Sequence, residues 1–366
     1  MEVWAREPKR MMRRRERGPW SDRGSLAQGA VAVGRTELNS RDQFAWGAEG
    51  GTLAARFGEQ EPGTFPSTFG RECHEMMAKE SLRMAGIPVL ASSGDSIARA
   101  WENSLIELYE RGCDISTEYD RAGDPPSKDA TMLITVEDPL SEPMIHRDMP
   151  GGLEDLQEYV MEVCEGIKDH WVRDRRDTAD TRWEYTYHER LFRYTVPSLP
   201  DSVDQIEGMC RQLARTGFTR RAQAVTWKVW EDRDCYDPAC LQSVWCRITQ
   251  DKGQACLNMN VRFRSNDAYR AAFMNIFALV QLQSRIAARI SQLSGQEIKL
   301  GRYCHLADSY HIYGSNMAEF RSRFLGAMKT RDFAGRTMRY LDVKDMMEEA
   351  RPGILDKARG ADMSDR

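Results

Sequence analysis

A mixed α+β fold follows from three features of this sequence. Apolar residues recur at helical spacing in several long segments, short β-rich runs stand between them, and Asp251-Lys252-Gly253 separates two such runs as a hairpin turn. With 366 residues, of which 41% are hydrophobic and 30% charged, the chain can bury a full core in one large domain or two small ones.

Residues 1–70 open with Arg13-Arg14-Arg15 and continue through Gly, Ser, Thr and Pro with little apolar period. That composition buries too little to offset ordering entropy, so a disordered extension is predicted; Glu2, Glu7 and Glu16 argue against a transit peptide. Over 95–111, Ile97, Trp101, Leu105, Leu108 and Tyr109 fall on one helical face, with Gly112 as the stop. A strand over 131–137 carries Met132, Leu133, Ile134 and Val136, and Asp138-Pro139 ends it. After Gly151-Gly152 a second amphipathic helix is marked by Leu156, Tyr159, Val160, Val163, Ile167 and Trp171. A helix over 203–215 leads to a strand over 222–230, and strands over 241–250 and 255–263 flank the hairpin turn. The longest helix, 269–293, buries Phe273, Ile276, Phe277, Val280 and Ile290 and ends at Gly295. A last strand and loop cover 303–313. The organisation predicted is an extension over 1–70, a catalytic domain over 71–330 and a C-terminal tail over 331–366.

The net charge of −4 argues against a general binder of nucleic acid or membrane surface, so any anion site must be local. Nine cysteines, with no CxxC pair and no close Cys/His set at zinc-ligand spacing, fit a reducing cytoplasm and predict no metal site. No apolar run approaches the roughly 18 residues that would span a membrane.

The chemistry gathers around Cys240, in Asp237-Pro238-Ala239-Cys240-Leu241, with Arg220-Arg221 upstream and Arg262-Phe263-Arg264-Ser265-Asn266-Asp267 and Asn275 downstream. Together they offer a soft nucleophile, guanidinium groups that grip phosphate bidentately, and an amide able to read a heterocycle edge. That combination points to a nucleotide. A general acid/base is also needed, and Glu162 or Glu165 on the second helix could supply it.

These residues, with Ala224-Val225-Thr226-Trp227 and Asp308-Ser309-Tyr310-His311-Ile312-Tyr313, resemble the thymidylate synthases and pyrimidine nucleotide hydroxymethylases. The resemblance runs from about 151 to 313. It implies a large mixed sheet flanked by helices and an obligate homodimer. By position, Cys240 resembles the nucleophile that adds to C6 of a pyrimidine nucleoside monophosphate. Arg220 and Arg221 resemble the phosphate arginines lent by one subunit to the other. Arg264 and Ser265 would complete the phosphate cradle, and Arg264 would lower the thiol pKa. His311 and Tyr313 match the pair on the sugar hydroxyl, Asn275 the base reader, Asp267 the folate-side aspartate, and Glu162 is the glutamate assigned to acid/base work.

The implied co-substrate is 5,10-methylenetetrahydrofolate. Hydride transfer after one-carbon addition makes a methyl group, and water makes a hydroxymethyl group, according to how dry the closed site is. Asn275 can match N3–H and O4 of uracil, which favours dUMP and its methylation to dTMP. The alternative is hydroxymethylation of CMP, dCMP or dUMP, because the chain after Tyr313 does not resemble the family's closing tail. Leu241, Ala239 and Asn266 also depart from the familiar pattern and resemble a short, archaeal-type branch. A non-catalytic nucleotide- or RNA-binding relative is a third class, against which an intact Cys240 counts.

Overall fold

The computed structural model describes residues 86–177 and 179–364; the predicted extension over 1–70 lies outside them. Ten strands are present among the described residues: β1 (Val89–Gly94), β2 (Cys113–Ile115), β3 (Ser127–Val136), β4 (Ile145–His146), β5 (Gln223–Val225), β6 (Leu241–Asp251), β7 (Gln254–Phe263), β8 (Asn266–Asp267), β9 (Lys299–Ile312) and β10 (Thr337–Met338). Eight of them form one sheet in the order β1-β3-β9-β7-β6-β5, with β2 added to β3 and β8 to β9. The β1/β3, β7/β9 and β8/β9 pairs are parallel and the remaining pairs antiparallel. The sheet is therefore mixed, as the sequence predicts.

The β6–β7 hairpin closes where expected: Asp251 pairs with Gln254 across Lys252 and Gly253. Both loop residues have positive φ, 49° and 83°, the backbone of a type I′ turn that glycine makes cheap. Helices cover one face. They are α1 (Ile97–Arg111), α2 (Leu153–Glu165), α3 (Tyr187–Phe192), α4 (Gln205–Arg215), α5 (Val229–Asp232) and α6 (Ala272–Ser294); short helical turns over 314–336 then lead to α7 (Tyr340–Ser364). The apolar stripe read from the sequence of α6 is buried along its length, with Phe273, Ile276, Phe277, Val280 and Ile290 essentially inaccessible. Helices α2 and α4 both pack against it.

Two expectations are corrected. The second helix does not run to Trp171 but stops at Gly166, whose φ of 68° is left-handed; a Cβ there would collide with the His188 ring. The strand predicted over 222–230 ends at Val225, because Asp232 captures the Lys228 N–H at 2.7 Å and the buried Arg190 guanidinium at 2.9 Å, turning the chain into α5. The stretch over 331–366, to which the sequence reading assigns no secondary structure, is largely helical: α7 buries Met347, Ile354 and Ala358. It is tied to α2 by Arg351 on Glu165 at 2.8 Å and by Lys357 on Glu154.

The C-terminal turns are locked to α1 through a buried charge cluster. Arg336 donates to Glu102 at 2.8 and 3.0 Å, and His146 lies 3.1 Å from the same carboxylate. Burial pushes Glu102 up, but the hydrogen bonds from His146 and Arg336 and the Arg336 charge outweigh it and hold the carboxyl at about 2.

A candidate active site around Cys240

Cys240 precedes β6, and its position is set by the ladder: the Arg264 N–H donates to the Cys240 carbonyl at 2.9 Å. The Arg264 guanidinium turns back to the Pro238 and Ala239 carbonyls, at 2.6 and 3.2 Å, bracing the loop. From the other side, Tyr185 and Tyr187 accept the Cys240 and Leu241 N–H groups, each at 3.4 Å. These tyrosines flank Thr186, which caps α3 by accepting the Glu189 N–H at 3.0 Å. Arg190 of α3 clamps Asp232, so the same short helix holds the tyrosines and anchors the loop that leads to Cys240.

The thiol is half-buried. Burial pushes its pKa up; the Arg264 charge pulls it back, Asp237 adds to the rise, and a hydrogen bond from Tyr185 opposes it. Arg264 lowers the thiol pKa, as the resemblance implies, but the net shift is upward, because one guanidinium, spent on two carbonyls, does not overcome the lost water. Tyr159, Tyr187 and Tyr313 also lie close enough to Cys240 for its charge to act on them. Two phenols, Tyr185 and Tyr187, are thus hydrogen-bonded to the main chain beside the sulfur.

Asn275, buried in the first turns of α6, accepts the Tyr159 hydroxyl on Oδ1. Among the described residues no hydrogen bond reaches its Nδ2, and Oδ1 keeps a second lone pair. Glu162, one turn along α2 from Glu158, pairs with Lys168 at 3.1 Å; burial raises its pKa, Lys168 opposes the rise, and Tyr159 lies within reach of its charge. Glu165 is instead bound by Arg285 and Arg351, at 2.6 and 2.8 Å. Of the two glutamates, Glu162 is the one free of arginine and poised toward the protonated form.

Asp267 of β8 accepts the Tyr269 and Arg270 N–H groups at 3.0 and 2.8 Å on Oδ1 alone. Removal from water dominates these bonds and raises its carboxyl to about 6. Across the ladder it pairs with His311. Burial lowers His311 to about 4, so the ring is neutral. His311 meets Tyr313 edge to face at 4.5 Å. Ser265 is half-buried beside Arg264.

Arg220 and Arg221 are exposed and stand apart from this cluster. Cys246 donates to the Ala222 carbonyl, which places Arg221 six or more residues along β6 from Cys240, on the order of 20 Å. Within one chain the structure brings together Cys240, Arg264, Asp267, Asn275, Glu162, His311 and Tyr313, but not the arginine pair. The sequence reading missed Tyr185 and Tyr187; their i, i+2 spacing around a capping threonine was the available signal. Tyr159 had been read only as an apolar face. Among the described residues no cluster of three or more His, Cys, Asp or Glu could hold a metal ion, and no helix is long and apolar enough to cross a membrane.

Residues 153–334 match the family model described as thymidylate synthase. A protein of Methanocaldococcus jannaschii named "Putative thymidylate synthase" is 28% identical over 224 residues, which is 60% of this chain and 88% of that one. A protein of the same description from Methanopyrus kandleri is 35% identical over 107 residues, 29% and 47% of the two chains. Thermostable thymidylate synthase A from Bacillus subtilis aligns with a TM-score of 0.46 at 18% identity over 62% of this chain and 83% of its own, a likeness too loose to carry any argument.

Proposed function

Because the chain belongs to the thymidylate synthase family of one-carbon transferases, we propose that it methylates dUMP to dTMP with 5,10-methylenetetrahydrofolate. The observation that carries this reading is the half-buried Cys240 thiol on a loop held by the Tyr185 and Tyr187 hydroxyls, with the Asn275 amide held by the Tyr159 hydroxyl.

In this reading the Cys240 thiolate adds to C6 of the pyrimidine and converts C5 into a nucleophile. The hydroxyl of Tyr185 donates to the sulfur and stabilises its charge. The Asn275 Nδ2 donates to O4, while the spare lone pair of Oδ1 accepts N3–H. Glu162, whose pKa burial raises, exchanges a proton with the base oxygen. His311 and Tyr313 take the sugar hydroxyl, and Arg264 and Ser265 take part of the phosphate. Arg220 and Arg221 of a second copy complete that cradle, which makes the working enzyme a homodimer. The methylenetetrahydrofolate supplies the one-carbon unit and, for methylation, a hydride. Asp267 suits it: Oδ1 is committed to two main-chain N–H groups, and among the described residues no hydrogen bond reaches Oδ2, leaving an acceptor for a ring N–H.

One observation favours hydroxymethylation as the second reading. Helix α7 engages α2 through Glu154 and Glu165, which lie about 120–140° around the helix from Tyr159. Helix α7 is thus bound to a different side of α2 from the one that faces Asn275, and in this second reading that side stays open to water. Incubation with methylenetetrahydrofolate and each of UMP, dUMP, CMP and dCMP, followed by mass spectrometry, separates the two. A gain of CH2 from dUMP, with dihydrofolate rising at 340 nm, supports methylation. A gain of CH2O overturns it in favour of the second reading, and no product from any nucleotide overturns both.

A further inference from the structure

His311 is joined to an acidic residue that the site as described does not use. Asp129 on β3 is the direct ladder partner of His311 on β9, and it is only 6% exposed. Its Oδ2 accepts the Ser309 hydroxyl at 2.6 Å, and Ser309 Oγ lies 3.3 Å from His311 Nδ1. The other oxygen, Oδ1, is buried with no hydrogen-bond partner. Ser309 and His311 are two apart on one strand and so share a face with their cross-strand neighbour Asp129. The result is a continuous line of polar atoms from the interior to the imidazole.

The line has a direction. A serine hydroxyl has one proton, and the distance of 2.6 Å is that of a hydroxyl donating to an ionised carboxylate. With its proton given to Asp129, Ser309 can only accept from the ring, so Nδ1 must carry the hydrogen. In a neutral ring, a proton on Nδ1 leaves Nε2 bare, and among the described residues no hydrogen bond reaches Nε2.

We infer that Asp129 is a positioning residue which, through Ser309, holds His311 as the Nδ1–H tautomer and so presents Nε2 as an acceptor for a hydroxyl of the ligand. Such a site accepts a sugar O–H and gains nothing from a ligand that lacks one. Burial raises the Asp129 pKa, and the Ser309 hydroxyl and the Ala130 main chain pull it back. The strained part of the arrangement is the orphaned Oδ1, a cost retained for the sake of the directed donor. The ligand half of this inference rests on the sugar-binding role proposed above; the tautomer half does not.

The full-length protein, labelled with 15N-histidine and free of nucleotide, tests the tautomer directly. The His311 resonances are expected to show a protonated Nδ1 and a bare Nε2, and the opposite tautomer overturns the inference. Binding of dUMP and of its 2′,3′-dideoxy analogue then tests the consequence. Wild type is expected to prefer dUMP by about tenfold, the scale of one hydrogen bond. Ser309→Ala and Asp129→Asn should bring that preference within about twofold, while affinity for the dideoxy analogue changes little and Ser309→Thr retains the preference. Undiminished preference in Ser309→Ala overturns the relay. Should wild type bind neither nucleotide, the sugar-binding reading falls, and the resonances still decide the tautomer.

Discussion

Replacing Tyr159 by phenylalanine tests the base-reading arrangement, because one oxygen is removed and its partner stays buried. Asn275 is 5% exposed, and the Tyr159 hydroxyl is the group that reaches its Oδ1. Deleting the donor leaves a buried amide oxygen unsatisfied, which costs about 1–3 kcal/mol. The ring itself remains, so no cavity forms and the loss is confined to the hydrogen bond. Urea denaturation of Tyr159→Phe, Asn275→Ala and the double variant should therefore give a coupling energy of about 1 kcal/mol or more. The same loss releases the amide to rotate, so kcat/KM for the preferred base should fall roughly tenfold and discrimination between dUMP and dCMP should narrow. Additive single effects would remove the hydrogen bond from the account. Unchanged discrimination, with the expected coupling present, would show that Asn275 does not read the base.

Three further outcomes follow from the charges. A Glu102 carboxyl held at about 2 rather than its ordinary 4.5 contributes about 3 kcal/mol of stability; because its folded value is depressed, that contribution is present above about pH 4.5 and is lost as pH falls toward 2. Glu102→Gln should cost a similar amount at pH 7 in urea titrations and should flatten the acid limb of the stability profile. The Cys240 thiol should be alkylated by iodoacetamide with a pH midpoint above that of an ordinary thiol, and Arg264→Ala should move it higher still, slowing alkylation at pH 7 by roughly tenfold; a midpoint below the ordinary value would show that burial does not govern the thiol. The rate should fall as pH drops through about 6, where Asp267 takes up its proton and ceases to be a pure acceptor, and Asp267→Asn should abolish that limb in the kcat/KM profile.

Much of the scaffold was legible in one dimension. The α6 stripe from Phe273 to Ile290, the stop at Gly295 and the Lys252-Gly253 turn depend on periodicity and on local φ preferences, which neighbouring residues alone determine. The strand predicted through Trp230 was not legible, because the force that ends it is the Arg190–Asp232 pair, 42 residues apart in sequence. The Gly166 stop was missed for the same reason: what forbids a side chain there is His188. In the site, the order of Cys240, Arg264, Asn275 and His311 was readable as a pattern of chemical types. The phenols of Tyr185 and Tyr187 on the Cys240 loop were not, since nothing in their own segment announces the contact.

The sequence by itself determined which groups this protein owns: a thiol, a set of arginines, a side-chain amide within an apolar helix, and helices and strands enough to carry them. The tertiary structure decided the protonation chemistry of those groups. Whether Cys240 is lowered by Arg264 or raised by burial, and whether Asp267 titrates near 4 or about 6, depends on water removed and charges brought close by distant segments. Desolvation and Coulomb energy are functions of distance in space, and sequence separation does not encode that distance until the chain has folded.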